Sequence, residues 1–313
     1  RQVYCSNMPA ELYPTSFVTE RTLSTLDQFS QNDAPFFLNI SYPDPHHPFC
    51  PPEPYYGMYA DEKIPLPNTF YDPHENSLVH HQRTVAERGK DTIGPFLTSP
   101  SEAQYQAAAK AEYGSITMLD EGIGRILMRL DELGLAEKTT IIFCSDHGDM
   151  FGDHGLMLKF GCHYDGTVRV PFLFKTPHLQ AGATNSLASL IDIAPTVLEL
   201  AGCQPYVGIQ GKSLKPILED KNAVTRDTVF IEEDLPFDML GVGQATSIRT
   251  LITQDTRLTV YAGATHGELF DLETDNSEID NVYGSAEHSQ LKSDMMTDLV
   301  HTMTVHHPID RKV

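Results

Sequence analysis

Apolar residues along this chain follow two periodicities, and each change of period marks an element. Over 17–31, FVTERTLSTLDQFSQ, the residues Phe17, Val18, Leu23, Leu26 and Phe29 recur near helical spacing, and the run FFLNISY at 36–42 then predicts a buried strand. From 43 to 67 prolines and aromatics crowd together, as in PDPHHPFCPPEPYYGMY. Proline fixes φ and lacks an N–H donor, so this stretch predicts a long ordered loop directly after a strand. The polar segment 71–102 has little periodicity, and a loop of that length is a candidate lid over a site. The clearest helix covers 102–133, with Ile116, Leu119, Ile123, Ile126, Leu127 and Leu130 three and four residues apart and Gly134 placed as a C-terminal cap. TTIIFCSDHG follows at once, and its consecutive apolar residues Ile141, Ile142, Phe143 and Cys144 suit a strand covered on both faces in a parallel sheet.

VPFLFKTP at 170–177 repeats the strand signature, and SLIDIAPTVLELAG at 189–202 predicts the next helix, ending at Gly202. Helix, strand, loop, strand, helix is the order of an α/β fold with a mostly parallel, doubly wound sheet flanked by helices. After about residue 218 the texture changes to short alternating segments, TVFIEED, TSIRTLIT, RLTVYA and GELFDLE, which predict an antiparallel sheet with one face in water. The tail SQLKSDMMTDLVHTM has helical spacing and should pack on that sheet. The predicted division is an α/β domain over 1–220 and a smaller α+β subdomain over 221–313.

Composition narrows the function. Asp and Glu number 43 against 22 Lys and Arg, a net charge of −21, so a basic footprint for nucleic-acid phosphates is missing. No apolar run approaches the roughly 20 residues that cross a bilayer, which argues against a membrane partner. The five cysteines are odd in number and scattered, with no C-x-x-C pair for zinc or redox chemistry. The sequon Asn39-Ile40-Ser41 lies inside an apolar run, where a glycan would have to be buried, and it reads as chance.

Ligands of open α/β sheets sit beyond the carboxyl ends of strands. Two predicted strands end in polar clusters: Asp44-Pro45-His46-His47-Pro48-Phe49, and Ser145-Asp146-His147-Gly148-Asp149 running on through Asp153 and His154 to Lys159. Asp146 and His147 offer a carboxylate oxygen and an imidazole nitrogen to one cation, although a tight site needs further ligands from elsewhere. The alternative is that Asp146 caps a helix and His147 packs in a turn. Asp149, Asp153 and His154 are further candidate ligands, or capping and solvated groups. Lys159 suits an anionic substrate, or else it is a surface lysine neutralising Asp153. His46 and His47, held between prolines, have a pKa range suited to proton transfer, with a structural histidine as the alternative.

These residues resemble the sulfatases of the alkaline phosphatase superfamily. SYPDPHHPFCPPEPYY is similar to their P-H-x-P-F stretch, and TTIIFCSDHGDMFGDHGLMLK to their S-D-[HN]-G-x-x-x-G-x-[HR]-x-x-x-x-K stretch. VRVPFLF, GIQGKSLKPIL and GELFDLETDNSEIDNV continue the likeness in the family's order. The resemblance implies that Asp146 and His147 are two ligands of a divalent metal, usually calcium, with manganese or zinc as the other candidates. It implies that Lys159 contacts the sulfate, and that His46 contacts the sulfate and the leaving-group oxygen, while His47 falls on a variable position. It is compatible with a periplasmic or secreted protein and says nothing of oligomeric state.

The departure from the family is as informative. Sulfatases carry C-x-P-x-R or S-x-P-x-R, whose Cys or Ser becomes formylglycine, and an Asp-Asp pair for the metal on their first strand. Neither occurs here, and Cys50-Pro51-Pro52-Glu53-Pro54 has proline where arginine is required. The chain therefore resembles the C-terminal portion of a sulfatase, with formylglycine expected in a preceding part. The expected reaction is hydrolysis of a small or saccharide sulfate ester by the parent protein. Hydrolysis of a phosphonate monoester or phosphodiester, and a non-catalytic anion-binding remnant, are the alternatives.

Overall fold

The computed structural model describes residues 2–90, 97–177, 179 and 181–305. They fall into two compact units. The first comprises Arg1–Leu66, Pro100–Ile141 and Lys175–His178. Its helix α1, Pro14–Phe29, begins with proline at the first helical position, where a missing N–H costs nothing. Its long helix α3, Glu102–Glu132, starts at a capping box in which the Ser101 hydroxyl accepts from the Gln104 N–H and the Gln104 side chain accepts from the Ser101 N–H. Leu26 of α1 and Ile126 and Leu130 of α3 are buried together, with Phe36, Leu38, Ile40 and Tyr42 packed against them. Each such buried side chain contributes about 1.5–3 kcal/mol.

That packing explains where the predicted strand at 36–42 went. The segment alternates in burial as a strand does, but it forms no ladder among the described residues and spends its apolar positions on the two helices. Alternation also turns Asn39 outward, so burial is no argument against the sequon. The proline-rich loop is ordered, as predicted, because α3 fastens it. Gln106 exchanges two hydrogen bonds with the backbone of Ile64, the Tyr105 hydroxyl donates to the Pro65 carbonyl at 2.8 Å, and Lys110 donates to the Ala60 carbonyl at 2.7 Å.

The second unit comprises Pro67–Ser99, Ile142–Phe174 and Leu179–Val313. The polar segment 71–102 is not structureless here. It contains helix α2, Val79–Ala86, which buries the adjacent His80 and His81; positions 91–96 of the predicted lid lie outside the described residues. Strand β1, Ile141–Cys144, pairs with β2, Phe172–Lys175. The expectation of cover on both faces fails, since Phe143 is 41% and Leu173 56% exposed. Short helices α4, Asp165–Val168, α5, Ile193–Leu200, and α6, Lys215–Glu219, follow. Asp192, buried at the start of α5, pairs with Arg226 and accepts the N–H groups of Ser189 and Lys212.

The predicted antiparallel sheet is present as β3, Val229–Leu235, β4, Thr246–Ile252, β5, Thr256–Tyr261, and β6, Glu268–Asp271, paired in that order. The expectation of a wet face is overturned, because the middle strands are covered on both sides. Leu251, Leu258 and Leu269 pack on Met295 and Leu299 of helix α7, Ser289–Val305. The opposite face carries Thr250, Arg257, Thr259 and Glu268, all buried, and the loop bearing His163 and Tyr164 lies against it. Polar residues at alternate positions read as solvated in the sequence, yet here they pair with one another. The His163 ring bonds Thr250 Oγ1 at 2.8 Å, and Arg257 pairs with Glu278 at 2.6 Å.

Candidate active site

The chain leaves β1 into Ser145, Asp146 and His147 and turns back at Gly148. A side chain there would collide with the Gly166 carbonyl oxygen, and the Gly148 N–H donates to the Thr167 carbonyl at 2.8 Å. That close approach requires glycine. Asp146 and His147 project together, with Asp146 Oδ2 and His147 Nε2 3.5 Å apart. His147 Nδ1 donates to the Gly148 carbonyl at 2.9 Å, which leaves the Nε2 lone pair facing the carboxylate. Burial works against the Asp146 carboxylate, but the charge that His147 carries when protonated, the His147 N–H and the Ser145 hydroxyl outweigh it, and its pKa falls below the ordinary aspartate value.

These two atoms fit adjacent ligands of one divalent cation, whose bonds of about 2.0–2.6 Å bring neighbouring donors to such a separation. They do not make a complete site. Among the described residues no group of three or more His, Cys, Asp or Glu side chains is arranged to hold a metal.

Beyond Gly148 the loop doubles back, and Asp149 ties its two limbs. Its Oδ1 accepts the N–H of Phe151 at 3.0 Å and of Leu158 at 2.8 Å, while Met150 donates to the Leu158 carbonyl. Leu158 and Phe160 hold φ of 71° and 76° on either side of Lys159. Non-glycine residues adopt this region at a cost of order 1–3 kcal/mol each, so the surrounding contacts impose the backbone that aims Lys159.

Lys159 is 7% exposed, and among the described residues its ammonium has no carboxylate within ion-pair distance. Burial pushes its pKa below the ordinary lysine value, opposed by the charges of Asp149 and then Asp146. Burial pushes the Asp149 pKa up, opposed by the two N–H donors, Lys159 and His147. Asp146, His147, Asp149 and Lys159 thus lie within charge–charge range around the end of β1.

The other acidic-turn residues are structural. Asp153 accepts the Thr69 hydroxyl at 3.2 Å rather than pairing with Lys159, and buried His154 bonds Asp72 at 2.6 Å. Asp149 does what a capping residue does. His46 belongs to the first unit, is exposed, and stacks on His47 with ring centroids 4.2 Å apart. Its Nδ1 donates to the His47 carbonyl, leaving Nε2 as the acceptor. The loop in front of it is anchored by Asp44, which accepts the hydroxyls of Thr15 and Tyr13.

Sequence reasoning missed that His74, His80 and His81 gather with His154 in a cluster of buried imidazoles in the second unit. The doublet His80-His81 was visible, but without the helix around it nothing showed which side it faced.

The end of β1 thus places the Asp146–His147 pair beside a buried lysine on the returning loop. Comparison with known proteins gives the family. The model named Sulfatase matches residues 1–203, and one named N-sulphoglucosamine sulphohydrolase, C-terminal, matches residues 152–304. The chain belongs to the sulfatase family. It is 33% identical over 284 residues to an arylsulfatase of Clostridium perfringens, covering 89% of this chain and 55% of that protein. It is 30% identical over 306 residues to the multifunctional alkaline phosphatase superfamily protein PehA of Trinickia caryophylli, covering 92% and 59%. The chain thus spans a little over half the length of these relatives.

Solved structures share the fold. A phosphonate monoester hydrolase from Silicibacter pomeroyi superposes with a TM-score of 0.81 at 23% identity, covering 98% of this chain and 63% of that one. A protein solved in complex with its substrate D-glucosamine-2-N,6-O-disulfate gives a TM-score of 0.79 at 22% identity, covering 94% and 70%.

Proposed function

We propose that the protein containing this chain hydrolyses sulfate esters, and that these residues form the part of its active site that grips the anion. The observation that carries the reading is Lys159, a buried cation with no carboxylate partner among the described residues, on a strained loop beside Asp146 and His147. Burial disfavours the charged form of this ammonium, and an anionic substrate would offset that effect. Membership of the sulfatase family and likeness to an arylsulfatase support sulfate as the anion.

In this reading Lys159 binds a sulfuryl oxygen and stabilises the charge that builds there as the ester bond breaks. Asp146 and His147 would be two of the ligands of a divalent cation, calcium by family likeness, which would supply further positive charge beside the anion. By family likeness the role of His46 is to protonate the departing alcohol oxygen, and Nε2 is the atom left for it while Nδ1 is bonded to the His47 carbonyl. The nucleophile, a formylglycine by family likeness, is not among these residues. The alcohol portion is a small or saccharide group, in keeping with the glucosamine disulfate bound by one structural relative.

Phosphorus esters ask for nearly the same groups, and the fold of a phosphonate monoester hydrolase favours keeping that second reading. Turnover of an aryl sulfate against the matching aryl phosphonate monoester by the full-length protein separates them. A higher kcat/KM for the sulfate supports the proposal, and a higher value for the phosphonate overturns it.

A further inference from the structure

A cavity of about 310 Å³ opens in the second unit between α2 and the hairpin joining β3 to β4, lined by His80, Arg83, Thr84, Leu97, Phe237 and Met239. Its walls are mostly apolar, at Leu97, Phe237 and Met239, and its one formal charge is Arg83. Arg125, Arg129, Arg169, Arg226, Arg249 and Arg257 all hold carboxylates, whereas among the described residues Arg21, Arg83 and Arg88 have none within ion-pair distance, and of these three Arg83 is the one that lines the cavity. Arg83 is exposed at the edge of this apolar cavity, where its guanidinium is available to an anion.

The cavity is built by specific contacts. Buried His80 donates from Nε2 to the Gly161 carbonyl at 2.8 Å, which ties α2 to the loop carrying Lys159. Thr84 Oγ1 donates to the His80 carbonyl at 2.9 Å, and the Met239 N–H donates to Thr246 Oγ1 at 2.9 Å. The hairpin tip is held by Asp238, whose carboxylate accepts the N–H groups of Gly241, Val242 and Gly243. Gly161 has φ of 76°, and a side chain there would collide with Met239 Sδ, so the loop runs flush against the cavity wall.

Only Phe160 separates Lys159 from Gly161. Two Cα–Cα steps span at most about 7.6 Å, so the lysine's backbone lies within that distance of the wall. A volume near 300 Å³ is the lower end for ligand pockets and takes one ring rather than an oligosaccharide.

We propose that this cavity is the subsite for the alcohol part of the ester, and that it selects a single-ring organic sulfate carrying a second anionic substituent. The ring face packs on Phe237 and Met239, and Arg83 pairs with the second anion. This rests on the reading above that Lys159 holds the reacting sulfate.

The test compares 4-carboxyphenyl sulfate with 4-carbamoylphenyl sulfate, which differ in charge at one end of the same ring, using the full-length enzyme. The wild-type enzyme should favour the carboxylate in kcat/KM by about two- to fivefold, the size of one exposed ion pair. Arg83→Gln should bring that ratio to about one, mainly through KM, and Arg83→Lys should restore part of it. A wild-type ratio near one, or a ratio unchanged in Arg83→Gln, overturns the subsite. Binding of 4-sulfobenzoate by calorimetry keeps the two proposals apart. If neither ester is turned over, sulfate hydrolysis fails on its own account, while Arg83-dependent binding of 4-sulfobenzoate still supports the subsite and the absence of binding overturns it.

Discussion

His81 should make the second unit sensitive to acid. It is fully buried on α2, with its ring 4.1 Å from that of His80, 6.0 Å from that of His74 and 5.5 Å from that of Tyr164, and with Nδ1 3.6 Å from a Glu268 oxygen. Burial lowers its pKa well below the ordinary 6.5, and the charges that His80, His74 and His154 would carry push the same way. The unfolded chain therefore takes up a proton as the pH falls through 6.5 while the folded protein does not. The stability contributed by a neutral His81 is fully present above that pH and is lost progressively below it. An imidazole that stays neutral when folded accounts for a loss of about 1.4 kcal/mol between pH 7.5 and 5.5. Burial lowers the pKa of His74 and of His80 as well, so they add in the same direction.

The assay is urea unfolding of the full-length protein at both pH values, for wild type and His81→Gln. Far-UV circular dichroism is a suitable probe of the helices and sheet of the second unit. The substitution lowers stability at pH 7.5 because it disturbs a packed site, but the variant should lose about 1.4 kcal/mol less than wild type on going to pH 5.5. Equal losses in the two proteins would refute the reasoning.

In the full-length enzyme His46→Ala should lower kcat/KM for an ester with a poor leaving group by about 10²-fold or more, and by less for a nitrophenyl sulfate, whose alcohol departs without a proton. A thermal melt should show calcium raising Tm, and Asp146→Ala should remove most of that increase, since binding to the folded state alone stabilises it. Residues 1–313 by themselves should release no sulfate from an aryl sulfate in the presence of calcium, whereas the same residues with their preceding sequence should do so. Sulfate release by the short form would reveal a nucleophile within it.

Helices α1 and α3 and the four-stranded sheet were legible because their periods are long or repeated and local chemistry marks their ends. The strand at 36–42 was not. Its alternation is real, but ladder formation depends on what lies beside it, which a local pattern does not report. The cover on the second face of the sheet was hidden for a related reason. Thr250, Arg257 and Glu268 look solvated one at a time, and only their meeting with His163 and Glu278 permits burial. Asp146 and His147 could be paired in the sequence because they are neighbours at a strand end. Lys159 was ambiguous between substrate contact and surface neutralisation of Asp153, since burial and the left-handed residues on either side of it leave no mark in the spacing. Arg83 gave no signal at all, because the cavity it edges joins segments some 150 residues apart.

The central claim is that Lys159 binds the sulfate. The direct measurement is kcat/KM for an aryl sulfate with full-length wild-type enzyme and Lys159→Ala, alongside circular dichroism to show that the variant is folded. If Lys159 binds the sulfate, the folded variant has kcat/KM lower by about 10²-fold or more. A folded Lys159→Ala enzyme turning over the ester at the wild-type rate would contradict that claim.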